Sequence, residues 1–89
     1  MSSASSRVEI RWERRALKEA QQLPSNERRR VFEAVDTLRG DPLRGKPLHA
    51  EWKGFRSLRA GQNRVIYAFD GKELLVFLVR VARRREVYR

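Results

Sequence analysis

Apolar and charged residues alternate in Val8-Glu9-Ile10-Arg11-Trp12, the period of a strand with one buried face. The period then lengthens. Ala16, Leu17, Ala20 and Leu23 fall at i, i+1, i+4 and i+7, one stripe of a helix over 13–23, with Arg14, Arg15, Lys18 and Glu19 on the other face. Pro24 ends it, because proline disfavours helical geometry in the residue before it. Ser25 or Asn26 can cap a second helix, whose apolar positions are Val31, Val35 and Leu38, with Phe32 and Ala34 beside them. That helix runs to Arg39 and stops at Gly40-Asp41-Pro42. Two short helices with so brief a link form an antiparallel hairpin.

Beyond it, Pro42, Gly45, Pro47 and Gly54 break any regular pattern, and 42–54 reads as a loop carrying Arg44, Lys46 and Lys53. Strands are expected over 55–60 and 64–69, joined by a Gly61-Gln62-Asn63 turn in which Gly61 or Asn63 takes positive φ. Asp70-Gly71 is the strongest short hairpin signal in the chain. The strand after it, 73–81, is apolar on both faces through Leu74-Leu75-Val76-Phe77-Leu78-Val79 and so belongs inside a sheet. The fold class is therefore α/β (α+β), two layers in the order β-α-α-β-β-β. A mainly antiparallel four-stranded sheet carries the helical hairpin on one face, with the first strand beside the last. Residues 7–89 make one domain. The small polar residues 1–6 lack the apolar centre of a signal peptide and read as a flexible start.

Charge changes this picture. The net charge is +10, and it is unevenly placed. Residues 1–43 hold nine Lys/Arg and seven Asp/Glu, whereas 44–89 hold twelve and four. Seventeen of the twenty-one cations are arginine, whose planar fork binds phosphate bidentately and stacks on bases. Compositional drift alone would not sort the excess into one half, so a polyanion, most often nucleic acid, is the expected partner. No apolar run reaches the roughly 18 residues of a membrane span. With no cysteine there is neither disulfide nor thiolate chemistry, and the cytoplasm is the default compartment.

The familiar catalytic kits do not fit. His49 is the sole imidazole and reads as a solvated loop residue; no metal-ligand spacing surrounds it, and no nucleophile elbow surrounds Ser57. No cofactor is expected. What remains is arginines and a tyrosine. RNA brings its own nucleophile, the 2′-hydroxyl beside the scissile phosphate. A protein need only align it, neutralise the pentacovalent phosphate and move two protons. On strand alternation Arg59 and Arg64 flank one turn, and with Arg84 and Tyr88 they can converge on one surface. Tyr67 alternates to the other face and is expected in the core.

These residues also resemble a known group. Trp12 with Ala16-Leu17, Leu38-Arg39-Gly40-Asp41-Pro42, Gly45-Lys46-Pro47-Leu48, the Leu58-Arg59 to Arg64 to Tyr67 segment and Arg84 followed by Tyr88 together resemble the RelE/ParE superfamily of toxin–antitoxin toxins. The likeness runs from about Val8 to Arg89 and is greatest to the RelE branch. It implies a metal-independent endoribonuclease that cuts mRNA in the ribosomal A site, with a cognate antitoxin as partner. In that frame Arg64 and Arg84 contact the phosphate and Tyr88 is the C-terminal tyrosine. Lys46, Lys53, Arg56, Arg59, Arg83 and Arg85 would hold ribosomal and messenger RNA. RelE carries lysines on the strand that here holds Arg56 and Arg59, and arginine does not give up a proton at neutral pH. The general base is thus left among Glu86, Tyr88 and water. Two other readings share the charge: a ParE-like inhibitor of DNA gyrase, and a non-catalytic RNA- or ribosome-binding module.

Overall fold

The structure, a computed structural model, describes residues 8–83. Strand β1 is Glu9–Trp12, and the helices α1 and α2 are Arg14–Gln21 and Ser25–Asp36, the second extended by a 3₁₀ turn, Thr37–Arg39. Strands β2 (Lys46–Pro47), β3 (Arg56–Ala60), β4 (Asn63–Asp70) and β5 (Leu75–Arg83) follow, with a second 3₁₀ turn at Ala50–Trp52. The sheet order is β1-β5-β4-β3-β2. The α+β class and the layer order agree with the expectation, and β1 does lie beside the last strand, parallel to it, pairing Glu9 with Leu75 through Trp12 with Leu78. The strand count does not agree. The loop forms a fifth strand, because Lys46 and Pro47 pair with Ser57 and Arg56 on the rim of β3. Proline is tolerated there because an edge strand leaves its outer side unpaired.

One face of the sheet is sealed by the helices. Ala16 and Ala20 of α1, Val31 and Val35 of α2, and Leu38 pack on Leu58, Ala60, Val65, Tyr67, Val76, Leu78 and Val81. Ala16 and Ala20 are the buried positions of α1. The opposite face has its own small cluster: Ile66 and Ala82 are covered by Leu48, Trp52, Phe55 and Val79. The segment expected to be loop therefore lays Trp52 edge-on to Phe55, with ring centroids 5.7 Å apart, against Ile66 and Ala82 on the second face. The reason is burial of apolar area, which strand alternation alone does not reveal.

Three local expectations are corrected. Helix α2 begins at Ser25 itself, so Pro24 occupies the capping position, and its carbonyl accepts the Arg28 amide at 2.8 Å. Asn63 is not a turn residue: Gly61 alone of that trio takes positive φ, at 65°, and Asn63 starts β4 fully buried, its Nδ2 donating to Glu27 Oε1 at 3.0 Å. Asp70-Gly71 does not make a two-residue hairpin. Asp70 Oδ1 accepts the Lys72 and Glu73 amides at 2.9 and 3.2 Å, and a longer turn returns through Leu74 at φ 53°.

Strand β5 outruns β1, so its backbone past Leu78 has no strand partner on that side. Glu19 of α1 fills the gap. Its carboxylate accepts the Val81 amide at 2.7 Å and the Arg80 Nε at 3.1 Å. Val79 is the extra residue of a bulge there, since Ile66 pairs with Arg80 and Tyr67 with Leu78. Helix α1 is thereby fastened to the end of β5 that leads into residues 84–89.

Candidate nucleic-acid interface

Strands β3 and β4 set the site. They pair antiparallel with Arg59 directly opposite Arg64, Leu58 opposite Val65 and Ser57 opposite Ile66. Leu58 and Val65 enter the helix-side core, so Ser57, Arg59 and Arg64 share the other face. Cross-strand partners hold their Cβ atoms about 4.5–5.5 Å apart, and like charges so placed destabilise a sheet.

Arg64 is half-buried, and its Nη1 donates to the Ser57 hydroxyl at 3.2 Å. Ser57 and Asn63 are the buried polar side chains among the described residues. One holds the guanidinium of Arg64, and the other anchors the backbone just before it to α2. The arginine is therefore oriented rather than waving in solvent. In front of it lies a cleft of about 400 Å³ lined by Arg44, Gly45, Lys46, Ser57, Leu58, Arg59 and Arg64. Among the described residues, four cations and no carboxylate line this space. Among the described residues no cluster of three or more His, Cys, Asp or Glu side chains could hold a metal.

The residues expected from the sequence divide as follows. Arg59, Arg64 and Lys46 meet in the cleft. Arg56 does not: it alternates to the face of Leu58 and Ala60, and its Nη1 donates to the backbone carbonyls of Gly45 at 2.7 Å and Leu43 at 3.2 Å. Lys53 is exposed after the Ala50–Trp52 turn and does not line the cleft. Arg83, the last residue of β5, donates to Gln62 Oε1 at 2.8 Å and stands 3.8 Å from Glu27, also outside the cleft. Arg84, Arg85, Glu86 and Tyr88 lie outside the described residues. Two cleft residues, Arg44 and Ser57, were not expected. Arg44 sits in a breaker-rich loop with no period to aim it, and a lone serine on a strand carries no signal until its partner across the sheet is known.

Behind the cleft, Tyr67 is fully buried, as its alternation predicts. Its hydroxyl accepts the Gly45 amide at 2.9 Å and donates to the Pro42 carbonyl at 2.8 Å. Burial is the main cause pushing its pKa up from 10.0; the Gly45 amide and the Arg56 charge pull it down, and Asp41 adds a small upward push. The folded state thus keeps this proton longer than the unfolded chain does. The resulting stability is complete below about pH 10 and is lost as pH climbs past it, when the unfolded chain ionises first. Urea midpoints measured between roughly pH 9 and 11 should fall more steeply for the wild type than for Tyr67→Phe. Parallel declines would remove Tyr67 as the cause.

Comparison with known proteins gives the same placement. The family model described as ParE toxin of type II toxin–antitoxin system, parDE, matches residues 10–88. Toxin RelG of Mycobacterium tuberculosis is 35% identical over 82 residues, covering 90% of this chain and 94% of the relative. The chain belongs to the RelE/ParE superfamily of type II toxin–antitoxin toxins. Toxin RelE of the same organism is 37% identical over 76 residues, covering 83% of this chain and 78% of that one. A chain in the crystal structure of the toxin–antitoxin complex RelBE2, also from Mycobacterium tuberculosis, superposes with a TM-score of 0.81 at 32% identity, covering 88% of this chain and 99% of its own. The two helices and mixed sheet of this toxin are thus the fold of its RelE-named relatives. Among the described residues no helix is long and apolar enough to cross a membrane.

Proposed function

We propose that this toxin is a metal-independent endoribonuclease that cuts mRNA in the ribosomal A site, acting in the cytoplasm and restrained by a cognate antitoxin. The observation that carries the reading is the Arg59–Arg64 pair, opposed across β3 and β4 on a cleft with Arg44 and Lys46. The RelE and RelG names of its relatives, and the antitoxin in the RelBE2 complex, point the same way.

In this mechanism the mRNA supplies the nucleophile. The 2′-hydroxyl loses its proton as its oxygen attacks the adjacent phosphorus, the 5′-oxygen of the next nucleotide leaves and takes up a proton, and a 2′,3′-cyclic phosphate remains. The ribosome holds the strand; the toxin supplies charge where it develops. Arg64, oriented by Ser57, donates to a non-bridging oxygen, and Arg84 donates to the other. Arg59 and Lys46 hold the neighbouring backbone. Tyr88 stacks on a base or helps move a proton, and Glu86 or water is the alternative base. Lys53, Arg83 and Arg85 add long-range attraction to ribosomal RNA.

A primer-extension map of cuts on programmed ribosomes, wild type against Arg84→Ala, tests this. Ribosome-dependent cuts that fade in the variant support it. The family description keeps a ParE-like inhibitor of DNA gyrase among the rivals. Loss of supercoiling activity with no mRNA cut would select that rival. Tight ribosome binding without any cut would leave a non-catalytic RNA-binding module.

A further inference from the structure

Two side chains that this chemistry does not use converge on the backbone of a single short segment. Tyr67 bonds the Gly45 amide and the Pro42 carbonyl, and Arg56 bonds the carbonyls of Leu43 and Gly45. Gly45 is seated so tightly that a Cβ there would lie 2.8 Å from the Tyr67 ring and 2.9 Å from the Ser57 carbonyl. The residues on either side of Gly45 are Arg44 and Lys46, both exposed, and both line the cleft that Arg59 and Arg64 share.

We infer that Tyr67 and Arg56 form a clamp that presents Arg44 and Lys46 as a second phosphate-binding edge of the cleft, with Arg44 a direct ligand and Arg56 a positioning residue. The ligand class, successive backbone phosphates of one RNA strand, rests on the reading proposed above. The clamp itself does not. Strand alternation keeps Arg56 off the face that carries Arg59 and Arg64, and its guanidinium is committed to two main-chain acceptors. Cations on a slack loop lose much of their binding energy to ordering; cations on a loop pinned by four hydrogen bonds do not. A lysine at position 56 would keep the charge and lose the rigid fork that spans both carbonyls.

The test uses the full-length toxin and ribosomes programmed with an mRNA carrying a 2′-deoxy sugar at the scissile position, so that binding is read without cleavage. Arg44→Ala should weaken binding about tenfold, the scale of one charge-assisted hydrogen bond, and lower the salt slope by about one phosphate. Arg56→Lys should weaken it to a similar extent although net charge is unchanged. The double variant should fall within about twofold of Arg44→Ala alone, because both changes remove the same contact. Hydrogen exchange of the Gly45 amide should quicken in Arg56→Lys and in Tyr67→Phe but not in Arg44→Ala. Wild-type affinity in Arg44→Ala, additive losses in the double variant, or unchanged Gly45 exchange in both clamp variants each overturn the inference. Wild-type toxin that binds ribosomes without cutting removes the nuclease reading and leaves the clamp in place. Wild-type toxin that binds no RNA removes the ligand assignment along with that reading.

Discussion

Replacing Arg64 by alanine is expected to slow single-turnover cleavage on programmed ribosomes by on the order of 10²–10³, the cost of deleting one preorganised donor to a developing oxyanion. The same loss is expected for Arg84→Ala. The size follows from timing. The phosphate gains negative charge as the 2′-oxygen approaches, so a guanidinium already in place stabilises the transition state more than the ground state. Arg64 is in place because Ser57 holds its Nη1 and because Asn63, the residue before it, is tied to Glu27. Affinity for the ribosome should change far less than rate. Arg64→Lys should recover part of the rate, since an ammonium keeps the charge and loses the two-pronged geometry. Wild-type rates in both alanine variants would refute the assignment.

Gly45→Ala should cost about 1–3 kcal/mol of stability, the usual range for overpacking a filled site. The added methyl would meet the Tyr67 ring and hydroxyl and the backbone oxygen of Ser57 at 2.8–2.9 Å. None of these can step aside. Tyr67 is fully buried among core residues, and Ser57 belongs to the sheet ladder. The loop must move instead, which breaks the Gly45 hydrogen bonds and shifts Arg44 and Lys46. Gly40→Ala is the control: it has negative φ and nothing within 4 Å of the added carbon, so its melting temperature should match the wild type. For a domain this small each kcal/mol is worth roughly 4–8 °C. Equal melting temperatures for the two variants would show that the loop can yield without loss.

Periodicity carried most of the fold because each element buries one stripe. Ala16 and Ala20, Val31 and Val35, and the doubly apolar β5 could each be read from spacing, and each lies where spacing puts it. Elements held by single long-range contacts were not legible. β2 exists because two residues meet the rim of β3, and the turn at Asp70 is shaped by one carboxylate collecting two amides. The site divides in the same way. Arg59 and Arg64 flank a turn, so a short hairpin was bound to bring them together. Arg44 reaches them only through a loop folded back by Tyr67 and Arg56.

The amino-acid order by itself determined the two-layer class, the place of the first strand beside the last, the burial of Tyr67 and the basic character of one half. These rest on repeating patterns, and a pattern survives uncertainty about any one residue. Only the tertiary structure decided that Ser57 orients Arg64, that Arg44 joins the cleft and that Arg56 turns its fork to the main chain. Those facts depend on which lone groups meet across the sheet, and a hydrogen bond between residues far apart in the chain leaves no trace in local spacing.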